Sequence, residues 1–345
     1  MHSEQPAHTR TRRARTRTAA TAGAAALGVG AVAAVALALP AGGGDTAAPT
    51  GAQDTTRDAG SPLADAPVGW ASEDGGTTGG EGGETVQVSD AGALLDAVSG
   101  DEPTVVEVTG DIDLSGMNDI GSNTTVVGNG SATITGGGFN LSGVENVVVR
   151  NLNFSGWDDD AINVQEGSTN VWVDHNSFSD GYDGAVDIKR ESDFVTVSWN
   201  HFTDHSKTML LGHSDDHTAD QGHLRVSYHH NFFDGTDTRH PRVRFSANAH
   251  VFNNYYVDNK EYGVASTMGA QVLVEGNYFQ GVDTPTEVGY GSSGPGELVE
   301  RGNVYDDSGS PATEGSVEDP PYDYTLDAAE EIPSIVSGGA GPQAR

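Results

Sequence analysis

The sequence predicts an all-β fold, a parallel β-helix of stacked coils, and three observations support this prediction. First, the pattern Asn-x-(Phe/Tyr) recurs six times at a nearly regular spacing, beginning at Asn176, Asn200, Asn231, Asn254, Asn277 and Asn303. Second, short runs of β-branched and aromatic residues precede these copies, as expected for strands. Third, no segment of each repeat carries the longer 3.6-residue period that a helical repeat needs. A period in the twenties with two or three short strands describes one coil of a β-helix.

Both repeated positions have a structural explanation. In stacked coils the asparagines are expected to form a ladder, because each amide side chain can bond to the coil above and below. The aromatic residue two positions later points to the same side of the strand and is expected to stack inside the coil. We interpret Asn151 as an earlier member of this ladder. Residues 89–98 carry a helix start signal and an apolar face, which predicts a short N-terminal capping helix.

The two ends of the chain differ in composition from the repeats. Five arginines precede an Ala/Val/Leu/Gly run, Ala19 to Leu39, so residues 1–41 are expected to be a cleaved export signal, with an uncleaved membrane anchor as the rival. Residues 42–84, acidic and rich in Gly, Ala and Thr, are expected to be a disordered linker. We assign 85–325 to the β-helix domain and 326–345 to a C-terminal tail. A chain exported in this way is secreted and extracellular.

The net charge of the chain argues against some classes of binding partner. The chain has 50 acidic and 17 basic residues and no cysteine. Without residues 1–41, which hold five arginines and Glu4, it has 49 acidic and 12 basic residues. So acidic a surface argues against nucleic acid or an anionic membrane as a partner. A basic patch nevertheless lies within residues 189–244, which suggests an anionic ligand at one place: Lys189, Arg190, Lys207, Arg239, Arg242 and Arg244. Of these, Arg190 and Arg242 are expected to pair with neighbouring acids.

The spacing of the repeat also predicts which candidate functional residues lie next to one another. Measured from the asparagine of its own coil, each lies between the seventh and the thirteenth position that follows: Asp160, Asp183, Asp187, Lys207, Arg239 and Arg244. Residues at like offsets in successive coils lie above one another, about 4.8 Å apart. Three acids and three bases should therefore form one cleft, on the order of 15 Å long, with the acids at one end and the bases at the other. The acids suit calcium, a hard cation with oxygen ligands, and Asp158 is a further candidate ligand.

At these residues the sequence resembles pectate lyases of polysaccharide lyase family 1, the pectate lyase C-like type. The segments that carry the resemblance lie between Thr85 and Phe279: Val171-Trp172-Val173-Asp174-His175, Asp183-Gly184-Ala185-Val186-Asp187-Ile188-Lys189, Asp204-His205-Ser206-Lys207, Tyr228-His229-His230-Asn231 and Arg239-His240-Pro241-Arg242-Val243-Arg244. The resemblance implies a single-stranded right-handed parallel β-helix, calcium as cofactor, and cleavage of de-esterified pectin. A secreted monomer acting on polygalacturonate is the expectation that follows.

The resemblance also implies roles for individual residues. Asp160, Asp183 and Asp187 resemble the calcium ligands of the family, and Asp158 matches an additional calcium position. Arg239, the first arginine of its Arg-x-Pro-x-x-Arg segment, resembles the catalytic base. Lys207 and Arg244 resemble the residues that hold substrate carboxylates. Because free arginine has a pKa above about 12, the mechanism predicts an alkaline pH optimum.

Three other functions stay open from the residues alone. A polygalacturonase-type hydrolase is also a β-helix with paired carboxylates, but its Asn-Thr-Asp, Gly-His-Gly and Arg-x-Lys segments are missing here. A pectin lyase typically lacks the acidic cluster. A non-catalytic polysaccharide-binding β-helix has no use for Arg239 above such a cluster. The histidines fall at different offsets with no accompanying cysteine, so the sequence disfavours a zinc site.

Overall fold

The computed structural model describes residues 66–344. The described part of the chain winds into coils whose strands form three parallel faces, which we call the first, second and third faces. Strands β1 to β25 and helices α1 and α2 are numbered in chain order. The first face contains ten strands: β1 Glu84–Val88, β2 Thr104–Val108, β4 Thr124–Gly128, β6 Glu145–Arg150, β9 Thr169–Asp174, β12 Asp193–Ser198, β15 Val226–His229, β18 Ala249–Phe252, β21 Gln271–Glu275 and β24 Glu297–Arg301.

The second and third faces are joined through β5 Thr133–Ser142, which also pairs with β3 Asp111–Asp119. The second face continues through β7 Asn153–Ser155, β10 Ser177–Ser179, β13 His201–Thr203, β16 Phe232–Asp234, β19 Tyr255–Val257, β22 Tyr278–Gln280 and β25 Val304–Asp306. The third face continues through β8 Ile162–Gln165, β11 Val186–Ile188, β14 Leu210–Leu211, β17 Arg242–Arg244, β20 Val264–Thr267 and β23 Thr286–Val288. Neighbouring strands on all three faces pair in parallel, so the predicted all-β parallel β-helix is confirmed.

The asparagine ladder is present and runs through six coils. Each amide nitrogen donates to the carbonyl oxygen of the next asparagine at 2.9 to 3.1 Å, from Asn176 to Asn303. The backbone N–H of each asparagine donates to the same oxygen, as in Asn200 N to Asn231 Oδ1 at 3.1 Å. Each ladder side chain therefore satisfies buried donors and acceptors of its own coil and its neighbours.

Asn151 does not belong to this ladder. Asn176 Oδ1 accepts its hydrogen bond from Leu152 N, so Leu152 occupies the corresponding position one coil earlier. Asn151 lies at the corner before it, with a left-handed φ of 61°. Its side chain donates to Gly128 O and accepts from Gln343 N near the C-terminus. The sequence interpretation was wrong because left-handed corners also favour asparagine.

Inside the coils, the aromatic residues of the repeat form the expected stack. Ring centroids of consecutive members are 4.3 to 5.4 Å apart along the series Phe178, Phe202, Phe233, Tyr256, Phe279 and Tyr305. Phe154 extends the stack by one coil, 5.1 Å from Phe178. These rings belong to one continuous hydrophobic core. Parallel rings one strand spacing apart keep this core closely packed from coil to coil.

The predicted capping helix is α1, Ala91–Val98. Asp90 begins it, because its side chain accepts a hydrogen bond from Ala93 N at 3.0 Å. Leu94 and Val98 are fully buried against the first coils. The helix therefore covers the open end of the hydrophobic core.

The structure differs from the sequence-based expectation at both ends of the described chain. Within the predicted linker, residues 66–83 lie along the first face, where Trp70 is buried. Trp70 N donates to Ser227 Oγ at 2.9 Å, and Ala71 N donates to Thr196 Oγ1 at 3.0 Å. Composition suggested disorder there because the segment has few apolar residues, yet one tryptophan and the hydroxyl groups of the strands suffice to hold it.

The C-terminal segment is also ordered. Helix α2, Ile332–Gly339, buries Ile332 and Val336 against Tyr255 of the second face. Short 3-10 helices occur at Trp70–Ser72, Thr218–Asp220 and Ala329–Glu331. Among the described residues no helix is both long and apolar enough to cross a membrane. The predicted export signal, residues 1–41, and residues 42–65 of the predicted linker lie outside the described residues.

Candidate active site

The candidate residues come together on the third face and in the turns that lead into it. Asp160 precedes β8, Asp183 precedes β11, and Asp187 lies within β11. Lys207 precedes β14, and its backbone is bridged in parallel to Thr238, which precedes Arg239. Because these strands pair in parallel, turns from consecutive coils lie side by side. The offsets of these residues within their coils therefore correctly predicted that they lie together.

Three aspartates form the floor of this site. Asp160 and Asp187 are buried, whereas the Asp183 side chain is about one-third exposed. Asp160 Oδ1 accepts from Gly184 N at 2.9 Å, and Asp187 Oδ1 accepts from Leu210 N at 3.0 Å. Gly184 leaves the room for Asp187, since an added Cβ there would lie 2.2 Å from Asp187 Oδ1. The backbone thus fixes two carboxylates in place before any ligand binds.

Burial sets the electrostatics of the carboxylates in this floor. Burial, reinforced by the charge of Asp160, raises the pKa of Asp187 to about 7, although Lys189 and Arg239 oppose this shift. Burial likewise raises the pKa of Asp160. Asp183 Oδ1 is buried and accepts no hydrogen bond with good geometry. Burial therefore disfavours the charged forms of Asp160 and Asp187, even with basic side chains nearby.

Two cations converge on Asp183. Lys207 Nζ lies 3.2 Å and Arg239 Nη1 lies 3.6 Å from Asp183 Oδ1. Buried His205 holds the backbone of Lys207, because its Nε2 lies 3.0 Å from Lys207 O, and burial lowers the pKa of His205. The three aspartates come from the two earlier coils of the site and the three bases from the two later ones, so the acids lie toward one end of the cleft and the bases toward the other, as predicted. The two groups meet at Asp183, which lies within 4 Å of two bases from later coils.

Arg244 is the most enclosed of the predicted bases. Its Nε donates to Asp215 Oδ1 at 2.7 Å, and its Nη1 lies 3.5 Å from Gly212 O. The hydrogen bond from Arg244 lowers the pKa of Asp215. Ser293 donates to both oxygens of Asp215 at 2.8 Å, which fixes that carboxylate in turn. Arg244 is thereby held in one orientation at the wall of the site.

Asp158 is positioned differently from the other acids. It is exposed, and its Oδ2 accepts a hydrogen bond from Gly116 N at 3.1 Å. The other two arginines of the basic patch also differ from one another. Arg190 pairs with Glu166 as expected. Arg242, by contrast, donates to Ser293 Oγ at 2.8 Å and lies 5.0 Å from the Tyr290 ring. Within the described residues it forms no ion pair with an acid inside 4.0 Å, so that expectation was wrong.

Three residues of the site were given no role from the sequence. Lys189 Nζ lies 3.2 Å from Asp160 Oδ2, and its position two residues after Asp187, directly after the end of β11, could have indicated that both face the site. Tyr182 is 71% exposed, with Lys207 Nζ 5.6 Å from its ring centroid. Asp215 lies in the enlarged loop between β14 and β15, where no periodicity indicates which side chain turns inward.

Known proteins resemble this chain in sequence and fold. Residues 57–303 match the pectate lyase family model. The chain belongs to the pectate lyase family. It is 39% identical to pectate lyase A of Emericella nidulans over 81% of this chain and 87% of that protein. It is also 35% identical to the pectate trisaccharide-lyase of Bacillus licheniformis, over 81% of this chain and 87% of that enzyme.

Among solved structures, a Bacillus pectate lyase in complex with trigalacturonate superposes with a TM-score of 0.71 and 32% identity. The match covers 80% of this chain and 98% of that one. The cedar pollen allergen Jun a 1, at 23% identity and a TM-score of 0.72, shows the same fold. This member of the pectate lyase family is a polysaccharide lyase.

Proposed function

We propose that this chain is a secreted, calcium-dependent pectate lyase that cleaves (1→4)-α-D-galacturonan by β-elimination and releases 4,5-unsaturated oligogalacturonides. The observation that carries the proposal is the convergence of Lys207 and Arg239 on Asp183, at the edge of a buried acidic cluster. The trigalacturonate bound to the similar Bacillus enzyme supports a polygalacturonate substrate.

The acidic cluster fits calcium on the properties of its donors. Asp160, Asp183 and Asp187 supply carboxylate oxygens from two consecutive coils, which suits the six to eight oxygen ligands that calcium takes. Burial raises the pKa of Asp160 and Asp187, and a bound divalent cation would favour the charged forms of both carboxylates. Asp158 is a further ligand candidate through its exposed carboxylate. Bound calcium would polarise the substrate carboxylate and so make the neighbouring C5 proton more acidic.

The side chains above the cluster supply the remaining steps. Lys207 and Arg244 bind substrate carboxylates and orient the sugar, because a cation fixed by its neighbours loses little freedom on binding. Arg239 then takes the proton from C5. The electron pair of the C5–H bond forms the C4=C5 double bond. The C4–O bond breaks, and the oxygen keeps the electron pair of that bond, gains a proton from water and leaves as a hydroxyl on the preceding part of the polymer. Because arginine must be deprotonated to act as a base, activity is expected to rise toward alkaline pH.

The test is to incubate the protein with polygalacturonate and to follow the ultraviolet absorbance of the unsaturated product. Absorbance should rise with calcium and stop with a chelator, and should resume when calcium is added back. Reducing ends that form without absorbance would indicate a hydrolase. Faster reaction on highly methylated pectin would indicate a pectin lyase. Binding to the polymer without any product would indicate a non-catalytic β-helix.

Arg239→Ala examines the base itself. Loss of a positioned general base reduces turnover by about 10²- to 10⁴-fold, while Lys207 and Arg244 should still bind the polymer. Arg301→Ala is the matched control, because Arg301 is an exposed arginine that pairs with Asp319 at 2.6 Å on another face. Equal turnover in the two variants, or a pH profile centred in mild acid, would contradict the role given to Arg239.

Export and assembly belong to the same proposal. The arginine-rich start and the apolar run in residues 1–41 support export with removal of this segment. The strongly acidic composition supports a monomer that binds neither nucleic acid nor an anionic membrane. N-terminal sequencing of the protein from culture medium should begin after residue 36, and light scattering should give the mass of one chain.

A further inference from the structure

A second group of metal-ligating side chains lies on the enlarged loop next to the candidate active site. This loop joins β14 to β15 and contains the 3-10 helix Thr218–Asp220. His217 Nε2 lies 3.3 Å from Glu191 Oε2 and 4.0 Å from Asp220 Oδ1. One ligand atom from each of the three residues lies within 4.8 Å of the others. Because Glu191 lies far from His217 along the chain, before β12 rather than in the loop, the sequence spacing did not indicate this group.

Asp220 is the fixed member of the group. It is fully buried, with Oδ1 accepting from Glu191 N at 2.8 Å and Oδ2 accepting from His213 N at 2.9 Å. Each carboxylate oxygen has a second lone pair, so these hydrogen bonds orient the group without occupying it. The His217 and Glu191 side chains are about one-third exposed, which leaves the open side accessible to an ion. A buried, oriented acid with two solvent-accessible partners is a suitable arrangement for a bound cation.

The donor set selects the class of ion. One imidazole nitrogen and two carboxylates suit zinc and similar transition ions, whereas calcium prefers oxygen donors alone. Ligands bound tetrahedrally at about 2.0 to 2.1 Å lie roughly 3.3 to 3.4 Å from each other. The separations of 3.3 and 4.0 Å are therefore close to those required, and small side-chain rotations would complete the site.

We propose that Glu191, His217 and Asp220 form a second cation site, for zinc or a similar divalent transition ion, distinct from the acidic cluster. The site would fix the loop to the turn that follows β11. The same loop carries Asp215, which holds Arg244 at 2.7 Å. Ion binding would thus stabilise the support of Arg244. This site does not depend on the proposed lyase chemistry, because it is assayed by metal binding without substrate.

The experiment measures zinc binding to the full chain without a histidine tag, by calorimetry in saturating calcium. We expect one zinc ion per chain and slower hydrogen exchange of amides in the loop when zinc is present. His217→Asn should weaken zinc binding by more than about tenfold. His201→Asn is the matched control, since His201 also lies 3.5 Å from an acid, Asp234, with a side chain exposed to almost the same degree.

Several outcomes would overturn the proposal. These are the absence of zinc binding by the wild type, unchanged binding in His217→Asn, or an equal loss in His201→Asn. Glu191→Gln provides a second variant in case His217→Asn does not fold, which circular dichroism would reveal. Asp187→Asn should keep the zinc site while weakening calcium binding. Loss of zinc in that variant would place the ion in the acidic cluster and reject the second site.

Discussion

Replacing one asparagine in the middle of the ladder should reveal how much the repeated amides contribute to stability. Asn231 is fully buried. Its Nδ2 donates to Val197 O at 2.9 Å and to Asn254 Oδ1 at 3.0 Å. Its Oδ1 accepts from Asn200 N and Asn200 Nδ2, both at 3.1 Å. Asn231→Ala therefore removes four hydrogen bonds and leaves their partners buried.

The expected loss in the free energy of unfolding follows from the groups that lose a hydrogen-bond partner. A buried donor or acceptor without a partner costs about 1 to 3 kcal/mol, and Asn254 Oδ1 keeps one donor, Asn231 N. Asn200 Nδ2 keeps two other acceptors, so two groups, Val197 O and Asn200 N, are left poorly satisfied. We therefore expect Asn231→Ala to lower the free energy of unfolding by about 2 to 6 kcal/mol. That is a large part of the roughly 5 to 15 kcal/mol typical of a folded domain.

Urea unfolding, followed by circular dichroism with calcium present, measures this loss. The matched control is Asn303→Ala at the last rung, where Asn303 also accepts from Asn277 N and Asn277 Nδ2, both at 2.9 Å, but is only partly buried. Water can replace the lost partner there, so we expect a smaller loss, of about 1 kcal/mol. Equal losses in the two variants would refute the reasoning, because the cost would then not depend on burial.

Three further predictions concern pH and substrate binding. Burial lowers the pKa of His240 to about 4, so the unfolded chain binds a proton more readily than the folded protein. The free energy of unfolding should therefore fall by about 3 kcal/mol as pH drops from about 6.5 to 4. In urea titrations, His240→Gln should reduce this dependence of stability on pH. Asp215→Asn should lower kcat/KM about 10- to 100-fold by releasing Arg244, whereas the exposed neighbour variant Asp216→Asn should not. Tyr182→Ala should raise KM about fivefold with little change in kcat if sugars stack on this exposed ring, and Tyr182→Phe should resemble the wild type; a fall in kcat alone would contradict a binding role.

The repeat made most of the fold predictable, because its physical cause is local and periodic. An asparagine can bond to an identical asparagine one coil away, and an aromatic ring can stack on a similar ring. A sequence that repeats the asparagine and the aromatic residue once in every coil therefore specifies both the ladder and the aromatic stack. The interval between Asn200 and Asn231 is longer than the others and contains the enlarged loop, since extra chain between fixed rungs must leave the coil.

The ends of the chain were less predictable for a different reason. Residues 66–83 and helix α2 lie on faces where hydroxyl groups and aromatic rings are mixed with a few aliphatic side chains, such as Val148 and Val257. Such residues are equally compatible with water and with a docked segment. Composition alone could therefore not show that Thr196, Ser227 and Tyr255 are covered.

The sequence by itself determined the coil, the ladder, the aromatic stack and the coils on which the candidate residues lie. Only the tertiary structure decided which of these residues contact one another. Lys189 with Asp160, Asp215 with Arg244, and both Lys207 and Arg239 with Asp183 are pairs between different elements. The position of a residue within the repeats indicates the coil to which it belongs, and the strand spacing then gives its distance along the stack. The direction of its side chain depends on turns and loops that do not repeat, so their contacts are specified only by the folded chain.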